Sequence, residues 1–165
     1  MSRRTFYEHF GDKEVCFLAA YEHGVDAMVA ELGARFEHDE TWRERVDGVL
    51  DIFLASLASE PGFARAFLVE MWAAGPAAFP RHLEVLEQFH ALLRAIHEQA
   101  RAELPDVVPI SDTVIAAVAG GITRVATTYV LQGRASELPQ LKPELLGYGL
   151  ALLAGTDSQL AEGPA

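Results

Sequence analysis

The chain has 165 residues, half of them hydrophobic, so it can bury the core of one ordinary domain without disulfide bonds. Its formal net charge of −11 argues against binding a polyanion across the whole surface, and any contact with DNA must come from a local basic segment. The single cysteine, Cys16, excludes an intramolecular disulfide and favours a reducing cytoplasmic location.

Apolar residues recur at steps of three and four along nearly the whole chain, which predicts an all-α fold without a sheet. The predicted helices cover about residues 1–10, 12–36, 42–57, 61–73, 80–103, 112–132 and 143–154. Several helix ends carry local signals: an N-cap at Asp12, a capping box at Thr41 and Glu44, a cap at Ser59 before Pro61, and a stop at Gly133.

The opening segment combines basic and aromatic residues. On a helix, Phe6 and Phe10 share the buried side because they lie four residues apart. The opposite side carries Arg4, Thr5 and Glu8, which can form hydrogen bonds with base edges and phosphates. An ordinary surface helix has the same composition, so composition alone does not establish a contact with DNA.

The string SRRTFYEHFGDKE at residues 2–14 closely resembles the recognition helix, and the start of the next helix, in the tetracycline-repressor (TetR) family. The resemblance implies a partial helix-turn-helix domain over residues 1–20 and an effector-binding and dimerisation domain over residues 21–165. It also implies a dimer that reads a palindromic DNA operator under the control of a small-molecule effector. The implied DNA contacts are Tyr7 and Lys13 on phosphates, Arg4, Thr5 and His9 near bases, and Ser2 and Arg3 at the groove edge.

The family places two further helices before this segment, whereas the chain starts at Met1. A recognition helix without its positioning helix is not expected to dock on DNA with useful affinity. We therefore expect the chain as given to bind DNA weakly or not at all. Our hypothesis is that an internal Val codon, usable as an alternative start, was assigned as the initiator.

A small-molecule site is predicted among the helices after residue 40. Glu70 has apolar neighbours three and four residues away, so its carboxylate is either partly buried or at a helix edge in solvent. His90 and His97 lie about 10 Å apart along a helix, too far to share a metal ion, and no metal or cofactor is predicted. The candidate ligand-binding residues are Phe67, Glu70, Met71, His90, Leu93, His97, Arg124 and Thr128.

The stretch from Thr113 to Gly133 contains one charged residue, Arg124. It is long enough to span a bilayer, but its small residues and central charge favour a buried interface helix, and no membrane contact is predicted. Arg124 has three possible partners: an acidic ligand, Glu70, or a second copy of the chain. The preceding Gly120 and Gly121 favour the second copy, because they allow two backbones to approach closely. We predict a homodimer in which the last two helices pack against their copies as a four-helix bundle.

The sequence contains no glycine-rich phosphate loop, nucleophile elbow or HExxH motif, so an enzyme is not predicted. The predicted function is ligand-responsive transcriptional regulation, usually repression, by a cytoplasmic protein. The alternative is a small-molecule-binding or interaction module that does not bind DNA.

Overall fold

The computed structural model describes residues 13–36, 39–74 and 78–154, and all regular secondary structure in these ranges is helical. The predicted all-α class is therefore confirmed. The opening helix and the Asp12 cap lie outside the described residues. The described α-helices are α1 (Lys13–Phe36), α2 (Trp42–Ser59), α3 (Pro61–Leu68), α4 (Ala78–Glu103), α5 (Asp112–Leu131) and α6 (Lys142–Leu153), and two 3-10 helices are η1 (Glu70–Ala73) and η2 (Ala135–Leu141).

Local side-chain chemistry sets most helix ends. The predicted capping box of α2 is confirmed: the Thr41 hydroxyl accepts from the Glu44 backbone N–H, and the Glu44 carboxylate accepts from the Thr41 N–H at 2.8 Å. Gly133 follows α5 with φ of 72°, a conformation that glycine adopts without strain, so the predicted stop is also confirmed. The predicted Ser59 cap is wrong, because Ser59 is the last residue of α2 and its hydroxyl donates back to the Ser56 carbonyl at 3.2 Å.

The helix predicted to run to Ala73 is shorter in the structure. It ends at Leu68, because Val69 leaves the helical region with φ of −124°, and the chain continues as the 3-10 helix η1. The tighter turn buries Met71 completely and leaves Trp72 exposed. This change of geometry also decides where Glu70 points.

The core lies around α2, which packs against α1, α3, α4, α6 and η2. Apolar residues of α1 that recur at steps of three and four are buried: Tyr21, Val25, Met28 and Leu32. A second cluster fills the far end of the bundle around Trp42, with residues of α4, α5 and α6.

Helix α5 is apolar but poorly covered by the rest of the chain. Its buried residues are Ile115, Val118, Ala126 and Val130. Its length and mean hydropathy of 1.6 are sufficient for a membrane-spanning helix, and only 22 % of the apolar window is buried. The rest of the helix therefore presents apolar surface that the described part of the chain does not cover.

Candidate ligand site

An apolar cavity lies between α2, α4, α5 and α6, with Phe67 of α3 in its wall. Its volume is about 90 Å³, and aliphatic and phenyl side chains form nearly all of the lining. Only His90 and Thr123 carry polar side chains among the lining residues. The hydrophobic stripes of these helices converge here without filling the space, so the cavity is suited to an apolar group.

A wider groove of about 560 Å³ opens beside the cavity, between α3, η1, α4 and α5. Its volume lies within the range of about 300–1,000 Å³ that is common for small-molecule sites. The groove adds polar groups, among them His82, Arg124 and Thr127, to a largely apolar wall that includes Trp72. The residues that line both spaces are Phe67, Leu86, His90, Ala119 and Thr123.

Phe67 is the central ring of the wall between the site and the core. Its ring lies 5.5 Å from His82, 5.9 Å from Tyr21 and 6.3 Å from Phe89, centroid to centroid. These distances fall in the range for favourable aromatic pairs. Phe67 therefore connects the cavity to both α1 and α4.

A buried hydrogen bond joins α1 to the groove. The Tyr21 hydroxyl lies 2.8 Å from Nδ1 of His82, and both side chains are buried. Burial raises the pKa of Tyr21 well above its usual range, although the positive charge of Arg81 opposes the shift, and burial lowers the pKa of His82. At neutral pH both groups are thus uncharged. We assign the Tyr21 O–H as the donor to Nδ1, since this bond then satisfies the buried hydroxyl proton, and the proton of the neutral imidazole is accordingly assigned to Nε2.

The threonine hydroxyls of α5 are already engaged with its backbone. Thr123 donates to the Ala119 carbonyl and Thr127 donates to the Thr123 carbonyl, each at 2.7 Å. Their oxygens can still accept hydrogen bonds, but their protons are committed. Donors for a ligand in this part of the groove must therefore come from Arg124 and the histidines.

Several predicted ligand-binding residues line these spaces. Phe67, His90 and Leu93 line the cavity, and Arg124 lines the groove. Met71 is fully buried and Thr128 is half-buried on α5, and neither lines the cavity or the groove.

Glu70 also lies outside both spaces. Its carboxylate is exposed and forms an ion pair with Arg65 at 2.7 Å, so of its two alternatives the structure shows the solvent-exposed one. The possible pairing of Arg124 with Glu70 is wrong. Instead, the Arg124 guanidinium donates to the Thr128 hydroxyl at 3.2 Å. The carboxylate points away because η1 replaces the last turn of the predicted helix.

His97 has a structural role in the described bundle. Its Nδ1 donates to the Leu153 carbonyl at 2.8 Å, and its Nε2 accepts from the Ile110 N–H at 3.3 Å. Both ring nitrogens are satisfied, and the side chain is absent from the cavity lining. Among the residues that the structure describes, no three or more His, Cys, Asp or Glu side chains are grouped to hold a metal ion.

Sequence reasoning missed His82, Trp72 and Thr123 as lining residues. His82 lies one turn before Val85 and Leu86 on α4, and this spacing was a usable signal for an inward position. Trp72 lines the groove because the chain bends at η1, and Thr123 lines it because of how α5 packs. Neither effect produces a periodic pattern in the sequence. The predicted DNA contacts Ser2, Arg3, Arg4, Thr5, Tyr7 and His9 lie outside the described residues, and Lys13 is the first residue of α1.

Comparison of the chain with protein-family models, curated proteins and solved structures gives no match. The site is therefore interpreted from its own geometry and chemistry, together with the resemblance of residues 2–14.

Proposed function

We propose that this chain is the ligand-binding and dimer-forming part of a transcriptional regulator, most simply a repressor, that binds a palindromic operator in its full-length form. The observation that carries the proposal is the apolar cavity joined to a partly polar groove, since small-molecule sites have this form. The resemblance of residues 2–14 to the TetR recognition helix supports the DNA-binding half of the proposal.

The proposed response to ligand runs through α1. A molecule in the groove presses on Phe67 and His82, and both contact Tyr21 of α1. Helix α1 has 24 residues and is roughly 36 Å long at 1.5 Å per residue. A tilt of about 5° about its far end thus moves Lys13 by roughly 3 Å. In a dimer, such a shift changes the distance between the two recognition helices and their match to the operator half-sites.

Dimerisation is proposed through the poorly covered surface of α5 and the adjoining face of α6. Ala117 of α5 is exposed outside the groove, as are Gly147 and Ala151 of α6, and the exposed Ala116 and Gly120 lie at the groove edge. Small side chains on neighbouring helices allow another helix pair to approach closely, and covering this apolar surface is favourable. A stable homodimer of this kind buries more than about 1,000 Å² in total.

The alternative is a small-molecule-binding or interaction module without DNA binding, and the net charge of −11 favours it. The deciding experiment is a mobility shift of genomic DNA fragments by the protein expressed from the whole reading frame that contains this chain. A regulator produces a sequence-specific, salt-sensitive shift and a palindromic footprint. The same experiment with the chain as given should show little or no shift. A specific shift by the short form contradicts that expectation, and no shift by either form supports the alternative.

Substitutions in the longer form separate positioning from base reading. Lys13→Ala should weaken binding to all sequences about equally, because phosphate contacts orient the protein without specifying sequence. Changes at His9 or Arg4 should instead alter the preferred bases. An equal loss across sequences for all three variants contradicts the assignment of His9 and Arg4 to bases.

A further inference from the structure

The two joined spaces differ in chemistry, which bears on the class of ligand that they accept. The inner cavity offers apolar walls with two polar side chains, His90 and Thr123. The outer groove adds the guanidinium of Arg124 and the imidazole of His82. A molecule that fills both must therefore have an apolar body and a polar end directed at the groove.

Arg124 differs from most cations of the described chain in having no carboxylate partner there. Its contact with Thr128 uses one of five N–H donors and leaves the positive charge uncompensated. Six other described cations are ion-paired to Asp or Glu: Arg35, Arg65, Arg81, Arg94, Arg134 and Lys142.

The groove is also free of negative charge among its lining residues, although the chain as a whole carries −11. The lining donors are the Arg124 guanidinium and the imidazoles of His82 and His90, of which His90 lies 3.7 Å from the Glu87 carboxylate. Nε2 of His82 carries the ring proton when Nδ1 accepts from the Tyr21 O–H. A carboxylate only accepts hydrogen bonds and matches such donors, whereas an ammonium group finds no anionic partner among the lining residues.

We propose that the site binds an amphiphilic carboxylate, with its apolar tail in the cavity and its carboxylate against Arg124 and His82 at the groove. This inference rests on the ligand-binding half of the proposed function and narrows it to one ligand class. It assigns Arg124 to the ligand rather than to the dimer interface.

The experiment uses three probes with the same eight-carbon tail: octanoate, 1-octanol and octylammonium. Each is titrated into the chain at pH 7.5, and binding is followed by the fluorescence of Trp72, which lines the groove. Trp72→Phe identifies the part of the signal that comes from the groove, because the other tryptophan, Trp42, is buried in the second core cluster. We expect octanoate to bind most tightly and octylammonium most weakly.

Arg124→Gln tests the head-group contact directly. Arg124 is exposed, so the variant should fold, and it should bind octanoate at least about tenfold more weakly with little change for 1-octanol. Arg65→Gln is the matched control, since it removes the same charge from an exposed arginine that lines neither space. An equal loss in Arg65→Gln means that net charge, not contact, governs affinity, and this overturns the proposal.

Other outcomes also overturn it. They are equal affinity for octanoate and 1-octanol, octanoate binding that Arg124→Gln leaves unchanged, and binding of none of the probes. If Arg124→Gln weakens self-association in sedimentation but leaves octanoate binding unchanged, Arg124 belongs to the interface. In each case the mobility-shift experiment decides separately whether the regulator proposal stands.

Discussion

Gly147 allows the proposed dimer to be tested without disturbing the single chain or the ligand site. It is exposed in the middle of α6, lines neither the cavity nor the groove, and a Cβ added there meets no heavy atom within 4 Å. Within one chain, Gly147→Glu should raise the free energy of unfolding by roughly 0.5–1 kcal/mol, because glycine is a poor helix former. Val118 is unsuited to this test. It is 0 % exposed, so a charge there disrupts the chain's own core in any state of assembly.

In the dimer the same substitution acts in the opposite direction. A two-fold interface through α5 and α6 brings the introduced carboxylate of each copy into contact with its partner helices. Removing such a charge from water without a partner costs several kcal/mol per ion. A loss of about 3 kcal/mol weakens association roughly a hundredfold or more. The variant should therefore be monomeric at concentrations where the unchanged chain is a dimer.

The assay is sedimentation velocity at micromolar concentration, with thermal unfolding followed by circular dichroism to show that each protein is folded. Gly33→Glu is the matched control, because Gly33 is also exposed within a helix and has open space around it. We expect dimers for the unchanged chain and Gly33→Glu, and a folded monomer for Gly147→Glu. Two results refute the reasoning: a monomeric unchanged chain, or association of Gly147→Glu as tight as that of Gly33→Glu.

Four further predictions concern the walls of the site and the packing of α1 behind them. Phe67→Ala should lower the free energy of unfolding in urea by about 3–5 kcal/mol, because it removes a buried ring from the core. Tyr21→Phe should lower it by about 1 kcal/mol through loss of the hydrogen bond to His82. The lowered pKa of His82 means that the unfolded chain takes up its proton first as pH falls below about 6.5. Stability should therefore drop between pH 8 and pH 5.5, and His82→Gln should flatten that drop. Gly24→Ala should lower the free energy of unfolding by about 1–3 kcal/mol, since the added Cβ overlaps the Phe63 ring.

Helices were predictable where one local signal decided the outcome. The stripe from Tyr21 to Leu32 has a strict three- and four-residue spacing, and α1 buries that side. The capping box at Thr41 needs only residues within one turn, so it forms as predicted. The end of α3 depends instead on burying Met71 against other helices, and the sequence around Glu70 carries no glycine or proline to mark it.

The site was less predictable, because its residues meet through tertiary packing. His90 and His97 lie two turns apart on the same border of α4 and are equivalent in the sequence pattern. In the structure His90 faces the unfilled space, whereas His97 meets the Leu153 carbonyl and the Ile110 N–H. Contacts between residues far apart in sequence determine which helix packs against each turn of α4. A local sequence pattern does not contain this information.

The composition of α5 shows how ligand binding and assembly are connected. Gly120, Thr123 and Arg124 line the groove, whereas Ala117 lies on exposed surface outside both the groove and the cavity. A bilayer is a poor partner for that surface, since a charged guanidinium near the middle of a membrane-spanning helix costs at least about 2.5–3.5 kcal/mol. Packing against a second copy of the chain avoids this cost, because the Arg124 guanidinium can remain in the groove and outside the dimer interface. The same helix then forms both a wall of the ligand site and part of the dimer contact. Thermodynamic linkage requires that, if ligand binding changes the free energy of dimerisation, dimerisation changes the free energy of ligand binding by the same amount.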